Sequence, residues 1–365
     1  MSDRPALSCK TDDEAADAPD AAARLRFLGM PAAHAGHAPD AASVQTIETH
    51  MSWVFLVGDC ALKLKKAVRY PFLDFSTLAA REFNCREEVR LNSRLAPGVY
   101  RGLLALQWQR GALSLQAADH LPAGGRTLDW LVLMRRLPSE RMFDRLIAAQ
   151  ALTVDDIASL SHRLAEFYRS APAAKLSAPD YLARFQRESA ISRDLLLRPA
   201  LALPGAASAL ARYDAALSQH AALLLDRVQQ GRVVDGHGDL RPEHVCMLRP
   251  PVVIDCLEFS AEMRAVDMFD ELAFLGLECE MDGMPEIGPQ LVAACAMALS
   301  DRPPTALLHL YRAGRALLRA RLAMAHLLDP TVRTPDRWPT QARRYLALAA
   351  AALDELSAAT PGGSP

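Results

Sequence analysis

The sequence has no long apolar run, no pattern of paired cysteines and little lysine. Its apolar stretches stop short of the roughly 18 residues that a membrane-spanning helix needs, and its first residues lack the apolar core of a secretory signal. The seven cysteines show no Cys-x-x-Cys spacing, and their odd number disfavours a disulfide framework. These absences predict a cytoplasmic protein with reduced core thiols, no structural zinc site and no membrane partner.

A strong charge of either sign is also absent. The 365 residues carry a formal net charge of −2, so the composition gives no reason to expect nucleic acid as a partner. The chain is 51% hydrophobic and 23% charged, which is enough apolar material to bury a sizeable core. This length suits one large two-lobed domain or two smaller domains.

The order of the sequence patterns predicts an α+β protein. We expect a disordered or loosely ordered extension over residues 1–40, a strand-rich lobe over 41–133 and a helix-rich lobe over 134–360. The predicted strands are 43–49, 53–57, 61–65, 99–108, 112–115 and 128–134, with one helix at 77–95. The later predicted helices are 140–149, 153–170, 178–195, 206–230, 265–280, 288–299, 304–328 and 337–358.

Two aspartates flank a predicted hairpin in the second half of the chain. The apolar runs 245–248 and 252–254 are split by Arg249-Pro250-Pro251, a pattern typical of a short hairpin. Such a hairpin would return Asp255 to the neighbourhood of Asp239. Two carboxylates held together suit divalent-cation binding and proton acceptance. The alternative is a pair of aspartates that only cap turns.

The residues around this hairpin resemble the catalytic and metal-binding loops of the aminoglycoside phosphotransferase and choline kinase relatives of protein kinases. The run 237–240, His-Gly-Asp-Leu, is similar to their His-x-Asp-Leu element, and 252–255 is similar to the strand that ends in their metal-binding Asp. The run 267–273 resembles the Asp-x-x-x-Asp-Leu-Ala helix that follows. The resemblance implies a bilobal protein kinase-like fold, with a small antiparallel β-sheet N-lobe carrying one helix and a larger helical C-lobe.

The same resemblance implies roles for individual residues, with ATP and Mg²⁺ as cofactors. Asp239 would accept the proton of a substrate hydroxyl, and Asp255 would hold Mg²⁺. His237 and Asp267 would brace the catalytic loop through hydrogen bonds. The family usually places Asn five residues after the catalytic Asp, whereas this chain has His244. Imidazole is a poor Mg²⁺ ligand, so the second metal would be weakly held or Glu243 would replace the amide.

The few lysines of the chain are clustered. Lysine occupies only five of 41 basic positions, and three of the five are Lys63, Lys65 and Lys66. A compact ammonium is suited to phosphate oxygens. The run Cys60-Ala-Leu-Lys63 resembles the Val-Ala-Ile-Lys of kinases, so Lys63 is the expected phosphate ligand and Lys65, on the same strand face, is the alternate. The alternative is a solvated basic edge that discourages aggregation.

A kinase-like lysine requires a carboxylate partner on the following helix. Glu88 lies three residues before Leu91, on the face that also carries Leu95, and is therefore the expected partner. Glu87 is the second choice. Exposed helices carry such glutamates in any case, which is the alternative explanation.

Two further segments are expected to contact the nucleotide. The predicted turn 48–53 contains no glycine, but Thr49 and Ser52 offer hydroxyl and backbone donors to phosphate. With the runs that follow it, this turn resembles a bacterial branch of the family often fused to a P-loop ATP-binding domain, although no Gly-x-x-x-x-Gly-Lys-Ser/Thr occurs here. Backbone groups of Met134 and Arg135 fall where kinases contact adenine.

These expectations together describe an ATP-dependent phosphotransferase that moves the γ-phosphoryl group to a hydroxyl of an unidentified small molecule. The main alternative is a non-catalytic nucleotide-binding regulator, suggested by His244 and the glycine-free turn. Nucleotidyl transfer on the same scaffold and a metal hydrolase using His237 and His244 are further alternatives. The sequence indicates neither the acceptor nor the oligomeric state.

Overall fold

The computed structural model describes residues 18–201, 203–329, 332 and 334–359. The chain divides into two compact units, with the division between Leu137 and Pro138. The predicted lobe boundary after residue 133 lies inside the last strand of the first unit, which continues to Arg135.

The first unit is built on an antiparallel sheet. Within the described residues, six strands pair in the order β1-β2-β3-β8-β6-β7, and β4 and β5 form a separate small hairpin. In chain order the elements are α1 (Ala21–Leu28), β1 (Val44–Glu48), β2 (Ser52–Val57), β3 (Cys60–Lys65), β4 (Arg69–Tyr70), β5 (Leu73–Asp74), α2 (Leu78–Asn92), β6 (Tyr100–Gln109), β7 (Ala112–Ala117) and β8 (Arg126–Arg135).

The strand pattern of the sequence explains this sheet. Successive side chains of β2 and β3 point to opposite faces of the sheet, and Phe55 and Leu62 lie on one face, where they pack with Leu131 of β8. Helix α2 begins at the N-cap Thr77, whose side chain accepts the backbone N–H of Ala80. The predicted strands and the helix at 77–95 are therefore confirmed, with ends that differ by a few residues.

The expected loose extension over residues 1–40 is corrected in its second part. Residues 1–17 lie outside the described residues. From residue 21 the chain forms α1, and Leu28 at its end is buried in the sheet core. The ring Nε2 of buried His34 donates to the carbonyl of Leu28 at 2.7 Å. The first unit therefore contains a second helix, where the sequence predicts only a helical turn over residues 24–30.

The second unit is mostly helical. Its helices are α3 (Phe143–Ala148), α4 (Val154–Ser170), α5 (Ala178–Leu196), α6 (Ala206–Gln219), α7 (Ala221–Gln229), α8 (Ala261–Arg264), α9 (Met268–Met281), α10 (Ile287–Ala298), α11 (Thr305–Ala325) and α12 (Arg337–Ala359). Four short strands lie between α7 and α9, namely β9 (Val233–Asp235), β10 (Val245–Cys246), β11 (Val252–Val253) and β12 (Ala265–Asp267).

Two predicted helices of this unit required correction. The helix is interrupted at His220, so the predicted helix 206–230 is two helices. The predicted helix 265–280 begins only at Met268, because residues 265–267 pair with β9 as β12. The α+β class is confirmed. Among the described residues, no helix combines the length and apolar character required to cross a membrane.

Helices α9 and α10 approach each other very closely at two glycines. A Cβ atom added to Gly276 would lie 2.6 Å from the Cα of Gly288, and one added to Gly288 would lie 2.9 Å from the Cα of Gly276. These distances exclude any larger residue without a backbone shift. The two glycines thus set the distance between α10 and α9, the helix that follows Asp267.

Candidate active site

The first unit contains a cluster of two lysines on one buried glutamate. Lys63 Nζ lies 2.9 Å from Glu88 Oε1, and Lys65 Nζ lies 2.5 Å from Glu88 Oε2. Both lysines project from the same face of β3, while Lys66 turns to the other face and pairs with Glu48 at 2.6 Å. Glu87 is not part of the cluster, because it pairs with Arg90 on the outer face of α2.

The predicted lysine–glutamate pair is therefore present, and the sequence-based choice between its candidates has a clear outcome. Glu88 rather than Glu87 is the partner. Both lysines contact it, since residues i and i+2 of a strand share a face and one carboxylate has two oxygens.

The turn between β1 and β2 is closed by its own hydrogen bonds. The Thr49 hydroxyl accepts the N–H of Ser52 at 2.9 Å and donates to the Ser52 carbonyl at 3.0 Å. The N–H of Thr49 also donates to the Ser52 carbonyl at 2.9 Å. Three of the donors expected to contact phosphate are thus used within the turn, so such contacts require the turn to open.

The segment expected to contact adenine belongs to the sheet. Met134 pairs with Ala61 of β3, and Arg135 pairs with Cys60. The N–H of Arg135 donates to the carbonyl of Val99 at 2.8 Å. That donor is consequently engaged by the sheet, and the adenine contacts of Met134 and Arg135 remain predictions.

In the second unit, two glycines permit the tight course of the loop 236–240 after β9. Gly238 has a φ of +88°, which L-residues rarely adopt. A Cβ on Gly236 would lie 2.7 Å from Glu271 Oε2, closer than real side-chain contacts allow. The pattern Gly-x-Gly at 236–238 is therefore required by the course of the backbone here.

His237 holds the loop against the strand that leads to Asp255. Its Nε2 donates to the carbonyl of Ile254 at 2.9 Å, and its Nδ1 accepts the N–H of Asp239 at 3.3 Å. These two contacts define the tautomer protonated at Nε2. Burial, reinforced by nearby His244, lowers the pKa of His237 to about 4. The ring is neutral at physiological pH, which suits a bracing role better than proton transfer.

Asp239 and Asp255 approach the same histidine. The predicted hairpin forms, with Val245 opposite Val253. His244 Nδ1 donates to the backbone carbonyl of Asp239 at 2.8 Å, and its Nε2 lies 3.6 Å from Asp255 Oδ2. Asp255 has a φ of +63°, an uncommon value for a residue with a side chain and one that is often found at functional positions.

An arginine lies beside the candidate base. Arg241 Nη2 donates to Asp239 Oδ2 at 3.0 Å, and its Nη1 lies 2.5 Å from Glu243 Oε1. Glu243 is therefore paired with a guanidinium in this structure. The sequence interpretation did not single out Arg241; its position two residues after Asp239 was the available signal.

The bracing role expected of Asp267 is performed by Glu271. The Glu271 carboxylate accepts the N–H groups of His237 (3.1 Å) and Gly238. Asp267 instead pairs with Arg227, through Nε at 2.5 Å, and accepts the hydroxyl of Tyr311 at 3.0 Å. Asp267 lies in β12 and points away from the loop. Glu271, one helical turn later, reaches the loop instead.

The side chains near Asp255 offer few ligands for a metal ion. In the described part of the chain, no three His, Cys, Asp or Glu side chains group as metal ligands. Asp255 supplies the carboxylate oxygen that Mg²⁺ favours, whereas the nearby donor of His244 is an imidazole nitrogen, which Mg²⁺ does not favour. A divalent cation at this place would require further oxygen ligands from water or from a phosphate-bearing ligand.

Comparison with curated proteins found sequence relatives of this chain. No family model matches the chain. Uncharacterized proteins of Mycobacterium bovis and Mycobacterium tuberculosis are 30% identical over 290 residues, which is 75% of this chain and 53% of each relative. The chain thus spans about half the length of the curated relatives it matches.

Solved structures with a similar fold include a kinase family protein and a phosphotransferase. A choline/ethanolamine kinase family protein from Mesorhizobium loti matches with a TM-score of 0.54 at 14% identity, over 93% of this chain and 96% of that one. An aminoglycoside phosphotransferase solved with AMP-PNP and hygromycin B matches with a TM-score of 0.50 at 10% identity, over 90% and 99% of the two chains. The chain therefore has the protein kinase-like fold of choline kinases and aminoglycoside phosphotransferases, as predicted.

Proposed function

We propose that this chain is an ATP-dependent phosphotransferase that transfers the γ-phosphoryl group of ATP to a hydroxyl of a small molecule. The observation that carries the proposal is the Lys63–Glu88–Lys65 cluster, in a protein whose second unit holds Asp239 and Asp255 on one braced loop system. Ammonium groups that a buried carboxylate holds in place are suited to phosphate binding.

Asp239 is the proposed proton acceptor. The hydroxyl oxygen of the substrate forms a bond to the γ-phosphorus. The bond from that phosphorus to the β–γ bridging oxygen breaks, and ADP leaves with the electron pair. The hydroxyl proton moves to an Asp239 carboxylate oxygen. Arg241 donates to Oδ2 of that carboxylate, so it keeps the side chain oriented as the proton arrives.

Asp255 is the proposed ligand of the divalent cation that accompanies ATP. The cation supplies charge neutralisation on the phosphates. His244 holds the backbone of Asp239 through Nδ1 and directs Nε2 toward Asp255. Lys63 neutralises phosphate charge, and Glu88 fixes its position.

The second candidate is a nucleotide-binding regulator without catalysis. The self-bonded turn of Thr49 and Ser52 favours it, because the donors used there are not available to phosphate. The imidazole of His244 also favours it, because nitrogen suits Mg²⁺ poorly.

A transfer assay separates the two candidates. Purified protein is incubated with γ-labelled ATP, MgCl₂ or MnCl₂, and a panel of hydroxylated metabolites that includes amino alcohols and aminoglycosides. We expect label on at least one acceptor, and in Asp239→Asn a fall of at least about 1,000-fold in transfer with ATP affinity within about threefold. Nucleotide binding without transfer or hydrolysis under any condition would establish the regulator instead.

A further inference from the structure

We infer that the two lysines of β3 have different tasks: Lys63 contacts the phosphates of the nucleotide, and Lys65 is a positioning residue that fixes Glu88. The inference rests on the proposed function and deepens it. The strand pattern places both residues on one face of β3, two positions apart, and gives Lys65 only as an alternate to Lys63. The structure distinguishes them by burial, by neighbours and by the oxygen that each contacts.

Glu88 is shared between two lysines. Its carboxylate contacts two ammonium groups, one on each oxygen. The side chain of Glu88 is wholly buried. A buried carboxylate without a close counter-charge is costly, so at least one lysine must stay beside it whether or not a ligand is bound.

Burial decides which lysine stays. The Lys65 side chain is 1% exposed and that of Lys63 is 17% exposed. Lys65 Nζ also lies 4.9 Å from the centroid of the buried Phe75 ring, a cation–π distance. A nucleotide phosphate can approach the Lys63 ammonium from solvent, whereas reaching Lys65 would require the removal of packed side chains.

Helix α2 keeps Glu88 in place relative to the strand. Arg81, two turns before Glu88, forms a two-pronged ion pair with Asp129 of β8, with distances of 2.6 and 3.1 Å. The helix is thereby attached to the same sheet that carries the lysines. Glu88 is consequently a fixed point, and the Lys65 ammonium holds one of its oxygens while the other orients Lys63.

This arrangement predicts what happens when either lysine is removed. Without Lys63, the Lys63–Glu88–Lys65 cluster presents no exposed ammonium to the phosphates. Without Lys65, Glu88 lacks its buried counter-charge, and Lys63 must serve the whole carboxylate and withdraw from the ligand. The effect of Lys65 on catalysis should therefore act through Glu88 and vanish once Glu88 is neutral.

Methionine substitutions test this division, because methionine is close to lysine in length and carries no charge. For Lys63→Met we expect kcat/KM for ATP to fall by at least about 100-fold, with a thermal midpoint within a few degrees of wild type. For Lys65→Met we expect a rise in KM of about tenfold with a much smaller change in kcat, and a lower thermal midpoint. Lys175→Met, at an exposed lysine of the second unit, is the matched control and should equal wild type.

A double variant distinguishes positioning from mere support of the fold. Lys65→Met/Glu88→Gln should have the same kcat/KM as Glu88→Gln alone, because the residue that Lys65 positions is already neutral. Independent, multiplicative losses would show that Lys65 contacts the ligand itself and would overturn the inference.

Lysine labelling of the wild-type protein gives a readout that needs no folded variant. The chain has only five lysines, so acylation with an N-hydroxysuccinimide ester can be followed at each by mass spectrometry. We expect Lys63 to react and to be protected by ATP with MgCl₂, Lys65 to stay unreactive in both states, and Lys175 to react equally in both. ATP-dependent protection at Lys65 but not at Lys63 would reverse the assignment. Failure of wild type to bind ATP by calorimetry would instead remove the proposed function, and the inference with it.

Discussion

Tyr168 donates its hydroxyl hydrogen to Glu271 across 2.6 Å, and both side chains are buried. The same carboxylate accepts the N–H groups of His237 and Gly238. Burial raises the pKa of Glu271, and these three hydrogen bonds act in the opposite direction. One buried acid thus joins helix α4, helix α9 and the loop 236–240, and it connects the core of the second unit to the position of Asp239.

Replacing Glu271 by Gln should impair catalysis more than binding. The amide presents NH₂ hydrogens where backbone N–H groups require an acceptor, so the loop must shift. A displacement of this kind can reduce kcat by about 10- to 100-fold. Steady-state kinetics with ATP would measure it. Tyr168→Phe, which removes one hydrogen bond and leaves both oxygens, is the milder control, and equal kcat values for Glu271→Gln and wild type would contradict the bracing role.

The stability of the protein should depend on pH through His237. Its pKa is about 4 in the folded protein and about 6.5 in an unfolded chain. The unfolded state therefore binds more protons between these values, so this contribution is full above about pH 6.5 and is lost as the pH falls toward 4.

Urea unfolding of wild type and His237→Gln at pH 7 and pH 4.5 measures this effect. We expect wild type to lose about 2–3 kcal/mol more than the variant on acidification. His162→Gln, at an exposed histidine of α4, should behave as wild type. Parallel losses in wild type and His237→Gln would show that another group is responsible.

The metal preference should change when His244 becomes Asn. An amide oxygen suits Mg²⁺, whereas imidazole nitrogen is better matched to Mn²⁺. We expect the ratio of kcat/KM with Mn²⁺ to that with Mg²⁺ to be larger in wild type than in His244→Asn, by threefold or more as an order of magnitude. Electron paramagnetic resonance of Mn²⁺ titrated into the ATP complex gives the affinity directly. An unchanged ratio together with an unchanged affinity would confine His244 to its hydrogen bond with Asp239.

Arg227→Met should strongly destabilise the second unit. The guanidinium contacts Asp267 and Asp301, with closest distances of 2.5 and 2.7 Å, and all three side chains are buried. Removal of the cation leaves two buried carboxylates, and burial already raises the pKa of Asp267. The expected loss is about 3–5 kcal/mol in chemical unfolding. Arg187→Met, which breaks an exposed pair with Glu262, should cost less than about 1 kcal/mol, so similar losses would refute the distinction.

Local pattern was sufficient for most of the fold. The β-favouring runs of β2 and β3, the caps of α2 and the proline break before β11 each act over a few residues, and so they are readable from the sequence. The prediction was wrong where the decision was tertiary. Helix α1 depends on Leu28 packing into the sheet, and residues 265–267 join β9 although their composition suits a helix.

The candidate site was predictable as far as residue types, and less so in its contacts. Glu88 could be chosen because helix periodicity places it on the inner face. The bracing by Glu271 could not be read, because the groups it accepts are backbone N–H groups that every residue carries. The closure of the Thr49–Ser52 turn was hidden for the same reason, since a hydroxyl can serve its own backbone as well as a ligand.

The contact between Gly276 and Gly288 limits how far Glu271 can move. Because two backbones touch there with no side chain between them, α9 has no compressible layer on that side. Glu271 lies in the same helix, five residues before Gly276. A methyl group added at either glycine would therefore push α9 and α10 apart. The shift of α9 would displace Glu271, and with it the loop of Asp239, more than a helical turn away.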